Sequence, residues 1–495
     1  MLILALGLAA CEPSTGGAPA PTNVTEAQAG SALAAMNLAE PGRISWADRS
    51  FADGAFTFTD LTFTDADLDA PITAQSLVLS APRLEEDGVR FDRLEILGLG
   101  LQQPDEVELA LARIIVDRPG PALSQWIADG FNARDPEIDF AREDFARWAF
   151  ADLGLEGLQL AVQETDSGPA SISLERFGGR GFDGSRLDEM AMEQFSLSAS
   201  DAETGDVRAE LESFSFEGVS ASFMRLMMAS GGGEALSMPM NPAEMFDAFA
   251  MRGLDMNIGG ALVEMPAMTA SAQTRGDEVR QTSAMERLTL SADPSGPLGM
   301  QLQGGLALLG YEQINMSMVG ESVYDLGEDR ARTVGENYVL IEDALRIDVG
   351  QDMSGVQAYL DRYMAAIAAG EFQDGAPPME IFEPLVIHGI SVRIEDLSLL
   401  DRALSAAALM QGTTPETLRL QVSGMIGLGL AAAPAEIPRP LVASLGQALS
   451  QFIQNGGSIE IELAPSAPVS VGELVNNQVD AQALGITVTS EAPAE

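Results

Sequence analysis

Few side chains in this sequence are suited to catalysis. The only histidine is His388, the only cysteine is Cys11, and lysine is absent altogether. Without lysine there is no phosphate-loop NTPase, no Schiff-base chemistry and no pyridoxal enzyme. A Ser-His-Asp site would have to use His388, which stands before Gly389 in a strand-like stretch with no Gly-x-Ser-x-Gly elbow to accompany it. An edge-strand side chain is the expectation there. A zinc site of thiolates or clustered histidines lacks its ligands. Paired carboxylates remain, but 74 acids make many chance pairs and none stands out. A carboxylate hydrolase would need two of them about 5 to 10 Å apart, one with a raised pKa. Asp65-Ala-Asp67-Leu-Asp69 opens like a calcium loop without its glycine or twelfth-position acid, and acids alternating on the wet face of a strand end account for it. Gly427-Leu-Gly429-Leu-Ala-Ala432 is a poor dinucleotide fingerprint, because the prolines after it break the helix that the motif requires. The expectation is no enzyme, no cofactor and no metal.

One segment is chemically distinctive. Residues 224 to 268 hold ten of the 23 methionines, among them Met224, Met227, Met228, Met238, Met240, Met245, Met251 and Met256. Thioether side chains are flexible and polarizable, so a surface rich in them adapts to apolar ligands of several shapes. An apolar groove or lid is one reading, and ordinary core filling is another. Copper(I) held through Met238-Pro-Met240 is a third, with no histidine or cysteine to assist it.

Charge limits the partners. The net charge is -47, and all 27 bases are arginine. Such a surface repels nucleic acid and anionic headgroups, so nucleic acid is not expected to bind. The chain opens "MLILALGLAACEPSTGGAPAPT", whose first ten residues are too short for a bilayer-spanning helix of about 20 but suit the apolar region of a secretory signal. Leu8-Ala9-Ala10-Cys11 resembles the lipobox of bacterial lipoproteins. The resemblance implies cleavage before Cys11, acylation of its thiol and new amine, and a membrane partner reached through that anchor. Residues 12 to 30 read as a flexible tether. With a single cysteine there is no intrachain disulfide, so stability must come from the core.

The elements that would carry any site follow from a recurring pattern. Phe56-Thr-Phe58-Thr-Asp60-Leu61-Thr-Phe63 alternates apolar and polar residues, then changes parity at the aspartate. The same spacing, with glycine at the change, recurs around Gly98, Gly157, Gly218, Gly253 and Gly389, with a partial copy from Leu420 to Met425 around Gly424. A β-bulge explains it: one extra residue, easily held by glycine in the left-handed region, restores the facing so that the flanking apolar side chains share one core. A two-residue hairpin turn at Thr59-Asp60 and Glu156-Gly157 is the competing explanation. Phe150, Phe246 and Phe382 each stand three residues before a motif copy and close a stretch that reads as helix. Helices are predicted near "GPALSQWIADGF" from Pro119, through residues 140 to 150, from Asn241, over Ser354 to Gly370, and from Pro438 to about Asn455. Plain strands such as "ITAQSLVLSAP", "VELALARI", "RLTLSA", "SIEIELAP" and "GITVTS" lie between them.

The predicted fold is therefore α+β and β-dominated: a long, curved, mostly antiparallel sheet of repeated bulged strands with amphipathic helical inserts. Its parts are a signal peptide at 1–10, a tether at 11–40, N-terminal strands at 41–106, and helix-strand modules at 107–215, 216–340 and 341–490. Alternating strands of this kind with short helical inserts, exported and tied to the envelope, resemble the AsmA-like bacterial envelope proteins. The resemblance implies long curved sheets and a part in lipid handling or outer-membrane homeostasis, and it brings no catalytic residues. The functional expectation is a non-enzymatic cell-envelope lipoprotein facing the periplasm that binds or shields lipid-like ligands in a concave sheet. A structural or interaction lipoprotein without a small ligand is the alternative, and a carboxylate hydrolase the third.

Overall fold

The computed structural model describes residues 24–64, 70–103, 107–132, 144–163, 168–201, 205–229, 241–369, 378–431, 439–475 and 483–493. Cys11, Met238, Met240 and the stretch from Asp65 to Asp69 lie outside them. The fold is α+β and β-dominated, and every strand pairing described is antiparallel. The chain divides into two compact units, the first of residues 1–233 and 246–259, the second of residues 234–245 and 260–495.

The first unit is a strand meander. Short strands β1 (Ile44–Ser45) and β2 (Asp48–Ala52) both pair with β3 (Ala55–Phe63), which pairs with β4 (Ile72–Ser80). A separate hairpin, β5 (Arg83–Glu85) and β6 (Gly88–Arg90), interrupts the run. Long strands then follow: β7 (Arg93–Gln103), β8 (Val107–Asp117), β9 (Phe150–Val162), β10 (Ala170–Phe182), β11 (Arg186–Asp201), β12 (Gly205–Ser220) and β13 (Ala248–Ile258). From β7 onward each pairs with the next. Helix α1 (Glu26–Ala35) begins at Thr25, whose side chain and that of Gln28 cap each other's backbone. Helix α2 (Pro121–Phe131) takes its first-turn proline from Pro121 rather than Pro119. Both supply side chains to one core with the sheet, where Ala29, Leu33, Ile127 and Phe131 lie with Phe56, Phe58, Leu77 and Leu111. Helix α3 (Ala221–Ala229) leaves the end of β12, its Phe223 N–H donating to Ser220 Oγ.

Along these strands the buried positions change parity at a shared level. On β3 they are Phe56 and Phe58, then Leu61; on β7, Leu94 and Ile96, then Leu99 and Leu101; on β8, Leu109 and Leu111, then Ile114 and Val116. A left-handed residue marks the change on alternate strands: Asp60 at φ 49°, Gly98 at 60°, Gly157 at 67°, Gln194 at 50° and Gly253 at 63°. These residues line up. Their opposite numbers in the register are Gln75, Ala112, Glu175 and Glu212, so a single crease crosses the sheet from β3 to β13. A second crease lies six residues away, with the left-handed residue moved to the other strands at Ala81, Arg118, Gly181 and Gly218.

The facing is thus kept as the bulge reading requires, but no extra residue is inserted. Thr59 pairs with Ser76 and Leu61 with Ala74, so equal numbers of residues separate the two pairings. The same holds across Gly157, between the Glu156–Arg176 and Leu158–Leu174 pairs. Both partners change parity at one level, which keeps the register intact. The hairpin alternative fails because Asp60 and Gly157 lie inside unbroken strands.

The second unit contains β14 (Ala261–Arg275), β15 (Glu278–Ala292), β16 (Ile314–Asp325), β17 (Arg330–Thr333), β18 (Tyr338–Ile341), β19 (Leu345–Ser354), β20 (Val386–Asp396), β21 (Gly457–Leu463), β22 (Val469–Ser470) and β23 (Ile486–Glu491). Here irregularities are true insertions. Asp352 pairs with Gly389 but Met353 with Ile387, so His388 is the bulged residue and Gly389 keeps an ordinary backbone. A second shift falls between Met285 and Leu288. The helices are α4 (Pro297–Leu309), α5 (Val356–Ala369), α6 (Leu399–Gln411), α7 (Pro415–Ala431), α8 (Arg439–Asn455) and α9 (Val471–Val475). The partial motif copy from Leu420 to Met425 lies within α7, because its apolar residues also fit a helix that packs Leu418 against Leu404 and Ala408. Helix α8 covers β21 and β23 through Ala448, Ile459 and Val488.

Three predicted helices are shorter than expected. The described part of 140–150 is a 3₁₀ turn, Phe145–Trp148, which leads into β9; Phe145 and Phe150 both pack on Phe182, at 6.2 and 5.5 Å between ring centres, and leave no room for a longer helix. Pro242–Glu244 and Met379–Phe382 are likewise 3₁₀ turns before the corresponding phenylalanine or at it. Ser354 ends β19 and does not cap α5, whose Gln357 N–H donates to Asp329 Oδ1 instead.

Candidate functional site

The register of the first unit sorts its side chains into rows, because residues directly opposite on paired strands share a face. Beyond the first crease, Leu111, Leu158, Leu174, Phe195, Leu211 and Leu254 form one row from β8 to β13. Leu109, Leu160, Ile172, Leu197, Ala209 and Met256 form the next. A third, Val107, Val162, Ala170, Ala199, Val207 and Ile258, closes the strand ends. On the near side of the crease Ile114, Leu155, Phe177, Met192, Phe214 and Met251 continue the same face. The opposite face of these strands carries Gln159, Ser173, Ser196, Glu210 and Asp255 at the level of the Leu160 row. The sheet is therefore one-sided in its chemistry.

Coverage changes along the rows. On β8 Leu109 and Leu111 are sealed, at 5% and 1% exposure. From β9 to β13 Leu158, Leu160, Ile172, Phe195, Leu197, Leu254 and Met256 are only half-buried, and Ile258 at the last strand reaches 36%. The near side is closed by aromatic rings, where Phe216 meets Phe223, Phe246 and Phe249 at 6.1, 5.1 and 4.9 Å between centres. Such clusters contribute roughly 0.5–1.5 kcal/mol per pair beyond their buried area. What remains is an apolar strip of three rows on five strands that water still reaches, apart from the buried Leu174 and Leu211.

The methionines named from the sequence are not gathered at one place. Met251 and Met256 sit on the apolar face of β13. Met224 and Met227 are half-buried on α3, which also carries Met228. Met245 is buried, and it belongs to the second unit. The strip itself is built mainly of leucine, isoleucine and phenylalanine. Leu158 and Leu160 belong to a motif copy, but β11 escapes the glycine-or-aspartate pattern because Gln194 occupies its left-handed position.

The polar face carries crossed ion pairs. Arg113 Nε donates to Glu95 at 2.7 Å and its Nη1 to Glu156 at 3.2 Å. Asp117 and Asp152 are directly opposed on β8 and β9, and Asp152 Oδ1 is buried with no hydrogen-bond partner among the described residues. Burial first, and the Asp117 carboxylate second, push the Asp152 pKa up to about 6. Asp117 pairs with Arg118 Nε at 3.3 Å. Because the folded pKa lies above the unfolded one, Asp152 favours the fold fully below about pH 4, and this contribution is lost as the pH rises through 6. Asp152→Asn should raise stability at pH 7 by about 1–2 kcal/mol, allowing for solvent screening of a half-exposed group, and leave it unchanged near pH 4. Urea melts of both proteins across that range check this, and equal shifts at both pH values would contradict it. The hollow beside this pair is lined by two arginines, Arg180 and Arg186, and four acids, Asp188, Glu189, Glu217 and Asp247.

His388 Nε2 lies 2.8 Å from Ser354 Oγ, tying the end of β19 to the bulge of β20. Asp352, the nearest acid in the register, is engaged by Arg330 through both oxygens, at 2.6 and 2.7 Å, and is held below its usual range mainly by that bond. Among the described residues no three His, Cys, Asp or Glu side chains are placed to hold a metal. No described helix is long and apolar enough to cross a membrane.

A family model described as "Uncharacterized protein" matches residues 338–491. No curated protein matches the chain. Among solved structures the chain is similar to OmpTdeltaL8, a loop L8 deletion mutant of the outer membrane protein OmpT of Vibrio cholerae, at 8% identity over 60% of this chain and 83% of that one. The TM-score is 0.17, too low to bear on fold or activity.

Proposed function

We propose that this chain is a non-enzymatic bacterial cell-envelope lipoprotein, acylated at Cys11 and facing the periplasm, whose first unit binds or shields lipid-like apolar ligands on its sheet. The observation that carries the reading is the half-exposed strip on β9 to β13. Apolar patches of that extent on a soluble surface mark sites of apolar contact, and saturated rows of leucine and isoleucine offer no hydrogen bond to select anything but hydrocarbon. The AsmA-like resemblance belongs to the same proposal and agrees with it in strand texture. Protein extracted gently from a membrane fraction is expected to carry lipid detectable by mass spectrometry. Lipid-free protein from that preparation would count against the reading.

A second reading has its own support. Helix α7 is apolar on its outward side too, with Leu420 at 70%, Met425 at 62% and Leu428 at 74% exposure. Such a face suits contact with another macromolecule, as an interaction lipoprotein would need.

A further inference from the structure

We infer that helices α6 and α7 form a hairpin that beds into the surface of a lipid bilayer, a membrane contact separate from the Cys11 anchor and from the strip. Its build follows from the sequence. Gly412 ends α6 in the left-handed region at φ 64°, and Pro415 opens α7, whose Thr417 N–H donates to Thr414 Oγ1 at 3.3 Å. The helices close on each other through Leu404 and Ala408 of α6 and Leu418 of α7, with Leu400 and Val422 half-buried beside them.

The outward side is unlike the rest of the described surface. Single exposed leucines are ordinary on a soluble protein. Here five of the six described large apolar side chains that exceed 60% exposure fall within 20 residues: Leu409, Met410, Leu420, Met425 and Leu428. Thr417, Gln421 and Gly424 lie among them on the same side of α7, exposed and uncharged. Charge is missing as well. Residues 403–415 and 420–431 hold no Asp, Glu or Arg, in a chain that is 20% charged. Between them Arg419 turns inward, pairing with Asp401 and donating to the Ile453 carbonyl at 2.6 Å, and Glu416 stands in the first turn of α7, where the helix dipole favours an acid.

These features favour a bilayer over a protein. Protein interfaces are anchored by buried aromatic rings and arginines. Neither helix contains an aromatic residue, and Arg402 and Arg419 are both engaged with backbone carbonyls. A bilayer interface asks only that the entering surface be apolar and free of charges that must shed their water. At 17 residues α7 is about 25 Å long, and lying flat it immerses its outward side chains to roughly 5–10 Å. The hairpin rests in the interface and does not cross it.

The test uses the full chain carrying Cys11→Ser, which has neither an acyl anchor nor a background thiol because Cys11 is the only cysteine. A nitroxide is attached at Leu428→Cys, at Leu409→Cys, or at the control Thr274→Cys, an exposed position on β14. Its collisions with molecular oxygen, which partitions into hydrocarbon, and with a water-soluble nickel chelate are measured with and without phosphatidylcholine vesicles. Residues 1–10 are apolar too, so the labelled side chains, not co-sedimentation, locate the contact. Vesicles are expected to lower nickel collisions about tenfold and raise oxygen collisions about threefold at 428 and 409, and to leave 274 within about twofold. In the Leu409→Cys protein, Leu420→Asp with Leu428→Asp should return nickel access to within about twofold of its vesicle-free value, while Leu160→Asp with Leu197→Asp in the strip leaves the protection in place. Both α7 positions are at least 70% exposed, so the fold tolerates the acids. Nickel access at 428 and 409 that vesicles leave unchanged overturns the inference. Protection that extends to 274, or that grows with protein concentration in the absence of vesicles, overturns it too, the latter in favour of a second copy of the chain.

Discussion

Gly157→Ala is expected to cost the first unit about 3 kcal/mol. The left-handed backbone at Gly157, φ 67°, disfavours an alanine by roughly 1–2 kcal/mol. The added methyl carbon would stand 2.8 Å from Ala112 Cβ, and that neighbour is itself a methyl on a strand that cannot swing aside. Overpacking of this kind adds roughly 1–3 kcal/mol. The opposite substitution at the next crease position separates the two causes. Gln194→Gly relieves a left-handed backbone at φ 50° without changing any close contact, and the entropy cost of glycine offsets part of the gain, leaving about 0.5 kcal/mol of stabilisation. Denaturant midpoints for the two variants should therefore move in opposite directions. If Gly157→Ala melts with the parent protein, the crease is not a position where the backbone demands glycine.

The second large effect concerns ligand capture. Leu160→Asp together with Leu197→Asp places two carboxylates in the middle row of the strip, on strands β9 and β11. Each leucine that meets a hydrocarbon chain contributes about 1.5–3 kcal/mol when fully buried, so losing two should weaken capture at least about tenfold. Because both positions are half-buried, the fold tolerates the change better than it would at Leu111. The matched substitutions Gln159→Asp and Ser198→Asp add the same charge at neighbouring positions on the polar face. Capture of fluorescent phosphatidylcholine should fall for the first pair and hold to within about twofold for the second. An equal loss for both pairs would mean that added charge, not the apolar face, governs binding.

How much of this was legible in the sequence depends on which force fixes each feature. The parity change at Asp60, Gly98, Gly157 and Gly253 could be read directly, because one backbone conformation favours glycine or aspartate and one face must be apolar. What the spacing could not distinguish is an inserted residue from a matched change on the partner strand. That difference lies in Gln75, Ala112, Glu175 and Glu212, which have ordinary side chains and no local signal. Gly389 shows the limit most clearly: its motif fits as well as the others, yet the bulged residue there is His388. Leu420 to Met425 fits both periods, and tertiary contact with Leu404 and Ala408 selected the helix.

The candidate site was legible only in part. Leu158, Leu160 and Leu254 lie in motif copies while Leu174, Leu197 and Leu211 do not, and the strip exists because strands distant in sequence stand in register, which is set by pairing, not composition. The methionine segment drew attention through composition alone, and the structure distributes its described members over β13, α3 and the second unit. The Asp117–Asp152 opposition was likewise invisible, since nothing within either strand marks its neighbour.

Photolabelling locates any hydrocarbon that lies on the far rows of β9 to β13. A fatty acid bearing a diazirine near its methyl end is irradiated with the full chain, and labelled peptides are mapped by mass spectrometry. Labels are predicted on the strip residues Leu158, Leu160, Val162, Ile172, Phe195 and Leu197. Labels confined to Leu420 to Leu428 of α7, or to polar-face positions such as Gln159 and Ser198 alone, would contradict hydrocarbon on those rows.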